Sequence, residues 1–228
     1  MSNFKSILAQ ASGDVYNQSA LRRSIDDYQY MPSISGPRTA VYSGPDKTIV
    51  AHRGLTLDRN DAWNTFGRVL VGKEIGPQRL KDAHKVAHSA IKLGRNLHHT
   101  GHSLGGSTAR RIARDRREPN TTFNRWTGFI QNPENAKASK RCKEGSLESH
   151  CHNTTDIYNP QDIATARIQH DYGIKEKRQA KPPYTLLSSG PLKVHSGAQF
   201  IEGSGKKNRK KAHPQQKLLD LAYQTMKQ

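Results

Sequence analysis

The chain has 228 residues, enough for one catalytic domain, but only 33% of them are hydrophobic, so a modest core with polar extensions is expected rather than a uniformly packed body. Lys and Arg number 37 against 19 acidic residues, and the formal net charge of +18 argues against a secreted fat-digesting enzyme and for an anionic partner or surface. No apolar run is long enough to span a bilayer, the N-terminus lacks the apolar stretch of a signal peptide, and the two cysteines make no disulfide framework, which together favour synthesis in the cytosol.

Residues 4 to 24 read as a helical lead-in, with Ile7, Leu8, Ala11, Val15 and Leu21 as its apolar positions. Residues 31 to 38 read as loop. Thr39-Ala-Val-Tyr-Ser, a Gly-Pro-Asp-Lys turn and Thr48-Ile-Val-Ala-His-Arg then make a hairpin. Residues 56 to 78 look irregular and are where a lid would sit. Leu80, Ala83, Ala87, Ala90 and Ile91 recur at helical spacing opposite Lys81, Asp82, Lys85 and Lys92, and Gly94 is a natural stop. A short strand containing Leu97 follows, and after it a helix with Ala109, Ile112 and Ala113 on one face. Thr121 to Ile130 and Thr154 to Tyr158 are strand candidates, separated by a lysine-rich surface insertion over residues 133 to 153. Residues 175 to 193 read as loop-rich. Residues 203 to 214 read as a Gly/Lys/Arg linker, with a final helix expected from His213-Pro214 to Gln228.

Between the central strand and the helix after it lies Gly101-His102-Ser103-Leu104-Gly105, which fits G-x-S-x-G, the nucleophile elbow. Five residues alone are a weak signal. The order helix, short strand, elbow, helix supplies the context that the chemistry needs, because the serine hydroxyl must project from a sharp strand-to-helix turn where flanking side chains would clash.

Gly101-His-Ser-Leu-Gly-Gly106 resembles the elbow of class 3 (fungal-type) lipases, within the α/β-hydrolase fold. A second likeness lies upstream: those lipases have a strand ending in Arg-Gly-Thr with a Trp about ten residues on, and here Thr48-Ile-Val-Ala-His-Arg-Gly-Leu55 precedes Trp63. The resemblance covers about residues 4 to 201 and is specific around 38 to 63 and 80 to 113. It implies an α/β chain with a mostly parallel central sheet flanked by helices. The lipase-like domain would occupy residues 1–202, with a basic linker and short helix over 203–228.

The resemblance also implies a Ser, Asp, His triad in that chain order. Ser103 is the nucleophile. Asp162, in Asn159-Pro-Gln-Asp-Ile-Ala-Thr, best matches the acid just past a strand, ahead of Asp156, which would sit inside the strand, and Asp171. His195, in Val194-His-Ser-Gly-Ala-Gln-Phe200, best matches the base, ahead of His170 and His213. The oxyanion hole would be the backbone N–H groups of Leu104 and Leu55. The family usually carries Thr or Ser where Leu55 stands, so here the N–H is kept and the hydroxyl lost, which is expected to lower activity without abolishing it. Thr56 would compensate if the loop were shifted by one residue. The implied activity is hydrolysis of carboxylic esters of lipids, acylglycerol or phospholipid. The alternative is a catalytically weak lipase-like fold used as a basic binding protein.

His52, His84, His88, His98 and His99 read as structural or exposed rather than catalytic. Cys142 and Cys151, even with His150 and His152 nearby, lack the two-residue ligand pairs of structural zinc sites and read as a solvated insertion, with a local disulfide as the minor option. No metal or cofactor is expected. The positive charge concentrates at Arg110, Arg111, Arg114, Arg116 and Arg117 beyond the elbow, and at Lys206, Lys207, Arg209, Lys210 and Lys211 in the tail. Such clusters suit an anionic membrane surface, and equally nucleic acid, a packaged virion component or a nuclear import signal.

Overall fold

A computed structural model describes residues 4–17, 21–55, 75–127 and 153–158, and the backbone of 176–179. Helix α1 (Phe4–Asp14) leads in, followed by the short strands β1 (Ser24–Ile25) and β2 (Tyr28–Tyr30) and a 3-10 turn over Pro32–Ile34. The hairpin is β3 (Thr39–Ser43) and β4 (Lys47–His52). Then come α2 (Pro77–Ile91), β5 (Asn96–His102), α3 (Leu104–Arg116), β6 (Asn120–Phe123), β7 (Thr154–Tyr158) and β8 (Glu176–Gln179). The eight strands form one sheet in chain order. Strands β1 to β4 are joined antiparallel, and β4 to β8 run parallel. This is an α/β fold with a mixed sheet that is parallel through its centre.

Four expectations are corrected. The lead-in helix stops at Asp14 rather than reaching residue 24, because the chain turns there, with Tyr16 N–H bonded to Gly13 O and Asn17 N–H to Asp14 O. Leu21 still packs against the α1-side core, but from outside any helix. The strand expected over 121–130 ends at Phe123, where Asn124 adopts φ 41° and the chain leaves the ladder. Strand β8 lies inside a stretch expected to be loop; its sequence, Glu-Lys-Arg-Gln, carries no apolar alternation to announce it. Residues 77 and 78, placed in the irregular segment, open α2 with Pro77 in the first turn, where a missing N–H costs nothing.

The two faces of the sheet are covered by different helices. On one, Ile7, Leu8 and Ala11 of α1 meet Ala40, Tyr42, Ile49, Ala51 and Phe123. On the other, Ala83, Ala87 and Ala90 of α2 and Ile112 of α3 meet Val41, Val50 and Leu97. The alternation along β3 and β4 therefore sends every second residue to each core. Helices α2 and α3 share a face because successive parallel crossovers have the same hand. Among the described residues no helix is long and apolar enough to cross a membrane.

Candidate active site

The turns after β4, β5 and β6 all lie at the C-terminal edge of the parallel strands, the edge at which open α/β sheets place their ligand sites. Ser103 follows β5 with φ 57° and ψ −129°, a conformation that a non-glycine residue holds only under constraint from its surroundings. The constraint is visible. Ser103 N–H donates to Phe123 O at 3.1 Å, while its carbonyl accepts from Gly106 N at 2.9 Å, Trp126 N at 3.1 Å and Ser107 N at 3.3 Å. The Ser107 hydroxyl also bonds Trp126 O. The elbow is thus fastened to its own helix and to the loop after β6.

The flanking glycines are required by close approach. A Cβ on Gly105 would come under 3.0 Å from the His52 carbonyl oxygen, the Arg53 carbonyl carbon and Gly54 N, and one on Gly101 under 3.0 Å from the backbone of Gly105 and Gly106. Backbone cannot yield as a flexible side chain does. Gly105→Ala is therefore expected to lose several kcal/mol or fail to fold, whereas Gly76→Ala, where a Cβ meets nothing within 4 Å, should melt near the wild type. Thermal melts of the two variants check this; equal melting would deny the close packing of the elbow on β4.

Leu104 opens α3, where the first N–H groups of a helix have no intrahelical partner. Its side chain packs with Trp126, and Leu55 and Ile75 pack against that pair. The two residues expected to carry the oxyanion donors therefore sit together beside Ser103, and the Leu55 side chain serves as an apolar anchor. Asp162, His195, Lys206, Lys207, Arg209, Lys210 and Lys211 lie outside the described residues. So do Asp171, His170, His213, Thr56, Trp63 and both cysteines. Asp156 does lie within β7, completely buried on an ion pair with Arg125, whose Nη2 is 2.8 Å and Nε 3.2 Å from Oδ2, and it also accepts the Thr122 hydroxyl.

The histidines of β5 divide between the faces. His98, Thr100 and His102 face α1. His98 bonds Thr121 Oγ1 at 3.0 Å and meets Phe4 edge-on; Thr100 Oγ1 pairs with Ser12 Oγ at 2.8 Å; His102 meets Tyr16. His99 faces α2 and α3 as Leu97 does. Its Nε2 is 2.6 Å from Glu118 Oε2 and its Nδ1 is 3.1 Å from His52 Nε2. A carboxylate only accepts, so His99 carries its proton on Nε2, and His52 donates from Nε2 to the bare Nδ1 of His99. Both rings are buried and bonded within the fold, in keeping with the expectation that they are structural or exposed rather than catalytic. Among the described residues no three His, Cys, Asp or Glu groups converge as metal ligands.

Burial drives these histidines below their ordinary range: His52 well below it, with His99 adding to the effect, and His98 to about 3. Burial also outweighs the opposing Glu118 bond at His99. For Glu118 itself, burial would raise the carboxyl, but the His99 hydrogen bond and the nearby Arg116 guanidinium prevail and hold it low. An unfolded histidine titrates near 6.5, so below that pH the unfolded chain binds protons that the folded chain refuses. Stability is thus complete above about pH 6.5 and is lost progressively as pH falls toward 3; Glu118 adds a loss of the same sign below its ordinary value of 4.5. Melting temperature should fall steadily from pH 7 to 4.5, less steeply in His98→Gln. A flat profile would contradict the buried neutral rings.

No family model matches the chain, and no curated protein matches it.

Residues that the sequence did not single out complete the site. Tyr16, in the turn after α1, accepts the Gly54 N–H at 3.0 Å and lies 3.1 Å from His102 O. Buried Arg79, in the first turns of α2, donates to Arg53 O at 2.5 Å and Gly54 O at 3.3 Å. Tyr16 falls within the helical lead-in expected over residues 4 to 24, and no expectation attaches to Arg79. No local pattern marks contacts made across 38 and 26 residues of chain.

Proposed function

We propose that the protein is a lipase-like serine esterase of α/β-hydrolase type, hydrolysing carboxylic ester bonds of lipids. The observation that carries this reading is the left-handed Ser103, held between a parallel strand and a helix N-terminus with Leu104 and Leu55 packed beside it. The resemblance to class 3 lipases at the elbow and around Arg53-Gly54-Leu55 supports it.

In this reading Ser103 Oγ attacks the ester carbonyl carbon while His195 takes the hydroxyl proton. Asp162 holds the histidine tautomer and stabilises the imidazolium. The carbonyl oxygen becomes an oxyanion received by the N–H groups of Leu104 and Leu55. Collapse breaks the C–O bond to the alcohol, which leaves with the proton from His195. Water then attacks the acyl-enzyme, giving its proton to His195, and the acid departs as Ser103 regains its hydrogen. The test is hydrolysis of a short-chain p-nitrophenyl ester by the wild type and its absence in Ser103→Ala.

The charge of +18 favours a second role for the basic extension over 203–228, recruitment to an anionic surface. Replacing Lys206, Lys207, Arg209, Lys210 and Lys211 with Gln removes five charges, each worth about 1 kcal/mol near an anionic bilayer. Binding to anionic vesicles should weaken strongly, added salt should mimic the loss, and hydrolysis of a soluble ester should be unchanged. Unchanged vesicle binding with collapsed affinity for nucleic acid would instead assign the extension to nucleic acid. An inactive wild type with that behaviour would favour the basic binding protein.

A further inference from the structure

We infer that Tyr16 and Arg79 form a two-sided clamp that sets the direction and strength of the Leu55 N–H as an oxyanion donor; the inference rests on the esterase reading of Ser103. Two successive peptide groups carry the argument. In the Arg53–Gly54 peptide the carbonyl accepts from Arg79 Nη1 and the N–H donates to the Tyr16 hydroxyl. The carbonyl and N–H of a trans peptide point in opposite directions, so this plane is gripped from both sides. In the next peptide the Gly54 carbonyl accepts from Arg79 Nη2. Its other end is the Leu55 N–H, which is therefore turned away from the guanidinium.

The clamp also sets a distance. The Tyr16 oxygen accepts from Gly54, so its own proton goes to His102, whose carbonyl oxygen is 3.1 Å and Nδ1 3.3 Å away. His102 is the residue before Ser103. One hydroxyl therefore ties the loop after β4 to the residue that delivers the nucleophile. Charge supplies the second effect. A guanidinium bonded to the Gly54 carbonyl polarises that amide and makes its N–H a stronger donor, in surroundings where Arg79 is nearly buried and little screened. Leu55 has no hydroxyl to orient this loop, and Tyr16 and Arg79 do so from two other elements. They are positioning residues: neither touches the reacting atoms.

The experiment compares the wild type, Tyr16→Phe, Arg79→Lys and Arg79→Met on a soluble p-nitrophenyl ester, with Ser103→Ala as the blank. An alkyl boronic acid, whose tetrahedral adduct with a serine places an anionic oxygen in the oxyanion hole, serves as the probe. The oxyanion exists only beyond the ground state, so kcat should fall about 10-fold in Tyr16→Phe and roughly 100-fold in Arg79→Met, with KM within about two-fold. Boronate affinity should fall in proportion to kcat, and Arg79→Lys should recover part of the loss by keeping the charge without the fork. Tyr16→Phe and Arg79→Lys keep nearly the native volume and carry the test if Arg79→Met does not fold. Folded variants with wild-type kcat and boronate affinity overturn the clamp alone, as does a loss confined to KM. A folded wild type with no ester turnover and no boronate adduct overturns the esterase reading and the clamp with it.

Discussion

Replacing Ser103 with alanine is expected to reduce ester turnover by on the order of 10⁶-fold, the scale on which removal of a triad nucleophile acts. The fold should survive. Ser103 is held through its backbone, by the bonds from Phe123, Gly106, Ser107 and Trp126, and alanine keeps every one of those groups. Alanine meets the same strain as serine at φ 57°, so the backbone cost does not change. A fluorophosphonate probe should label the wild type and leave Ser103→Ala unlabelled at equal melting temperature. Equal labelling of both proteins would place the nucleophile elsewhere.

The second large effect separates two aspartates. Asp156→Asn is expected to damage stability rather than chemistry. Its carboxylate is fully buried, and Arg125, itself almost inaccessible, has Nε and Nη2 turned onto it. Asparagine leaves the guanidinium buried against a neutral amide, and breaking one side of a buried pair costs about 3–5 kcal/mol. For a chain of this length that is a fall in melting temperature of roughly 10 °C. The damage would spread to the elbow, because Arg125 lies against Gly106 and Trp126 bonds Ser103 O. Asp162→Asn should show the reverse, a turnover loss of about 10⁴-fold with an unchanged melt. Both are read from the same two measurements, a melting curve and kcat on the soluble ester. A stable Asp156→Asn that has lost turnover would make Asp156 the triad acid.

The elbow was legible because its constraints are local. Gly101, Ser103 and Gly105 occur within five residues, and the helices on either side carry their own 3.6-residue pattern. The close approach of Gly105 to His52 and Arg53 is the physical cause of a motif that the sequence shows only as a spacing. The hairpin of β3 and β4 was legible for the same reason: two apolar runs around a Gly-Pro-Asp-Lys turn pair with their neighbours. The end of α1 and the strand β8 were not. Helix periodicity in residues 4 to 24 outlasts the helix, since Val15 and Leu21 bury themselves or pack on the same core from turns. Strand β8 takes its place by pairing with β7, a long-range choice that four polar residues do not encode.

The histidines mark the boundary most clearly. By itself the sequence determined that adjacent residues of β5 face opposite ways, because a strand has a period of two. Only the tertiary structure decided what each ring meets: Phe4 and Thr121 for His98, Glu118 and His52 for His99, Tyr16 for His102. Likewise the sequence determined that Leu55 follows a strand ending in Arg-Gly and brings an N–H without a hydroxyl. That Tyr16, in the turn after α1, and Arg79 of α2 both bond this loop was decided by the packing of α1 and α2 on opposite faces of the sheet. Spacing along a chain records what neighbouring residues impose on one another. Contacts between distant segments arise only when burial of the two apolar faces brings them together.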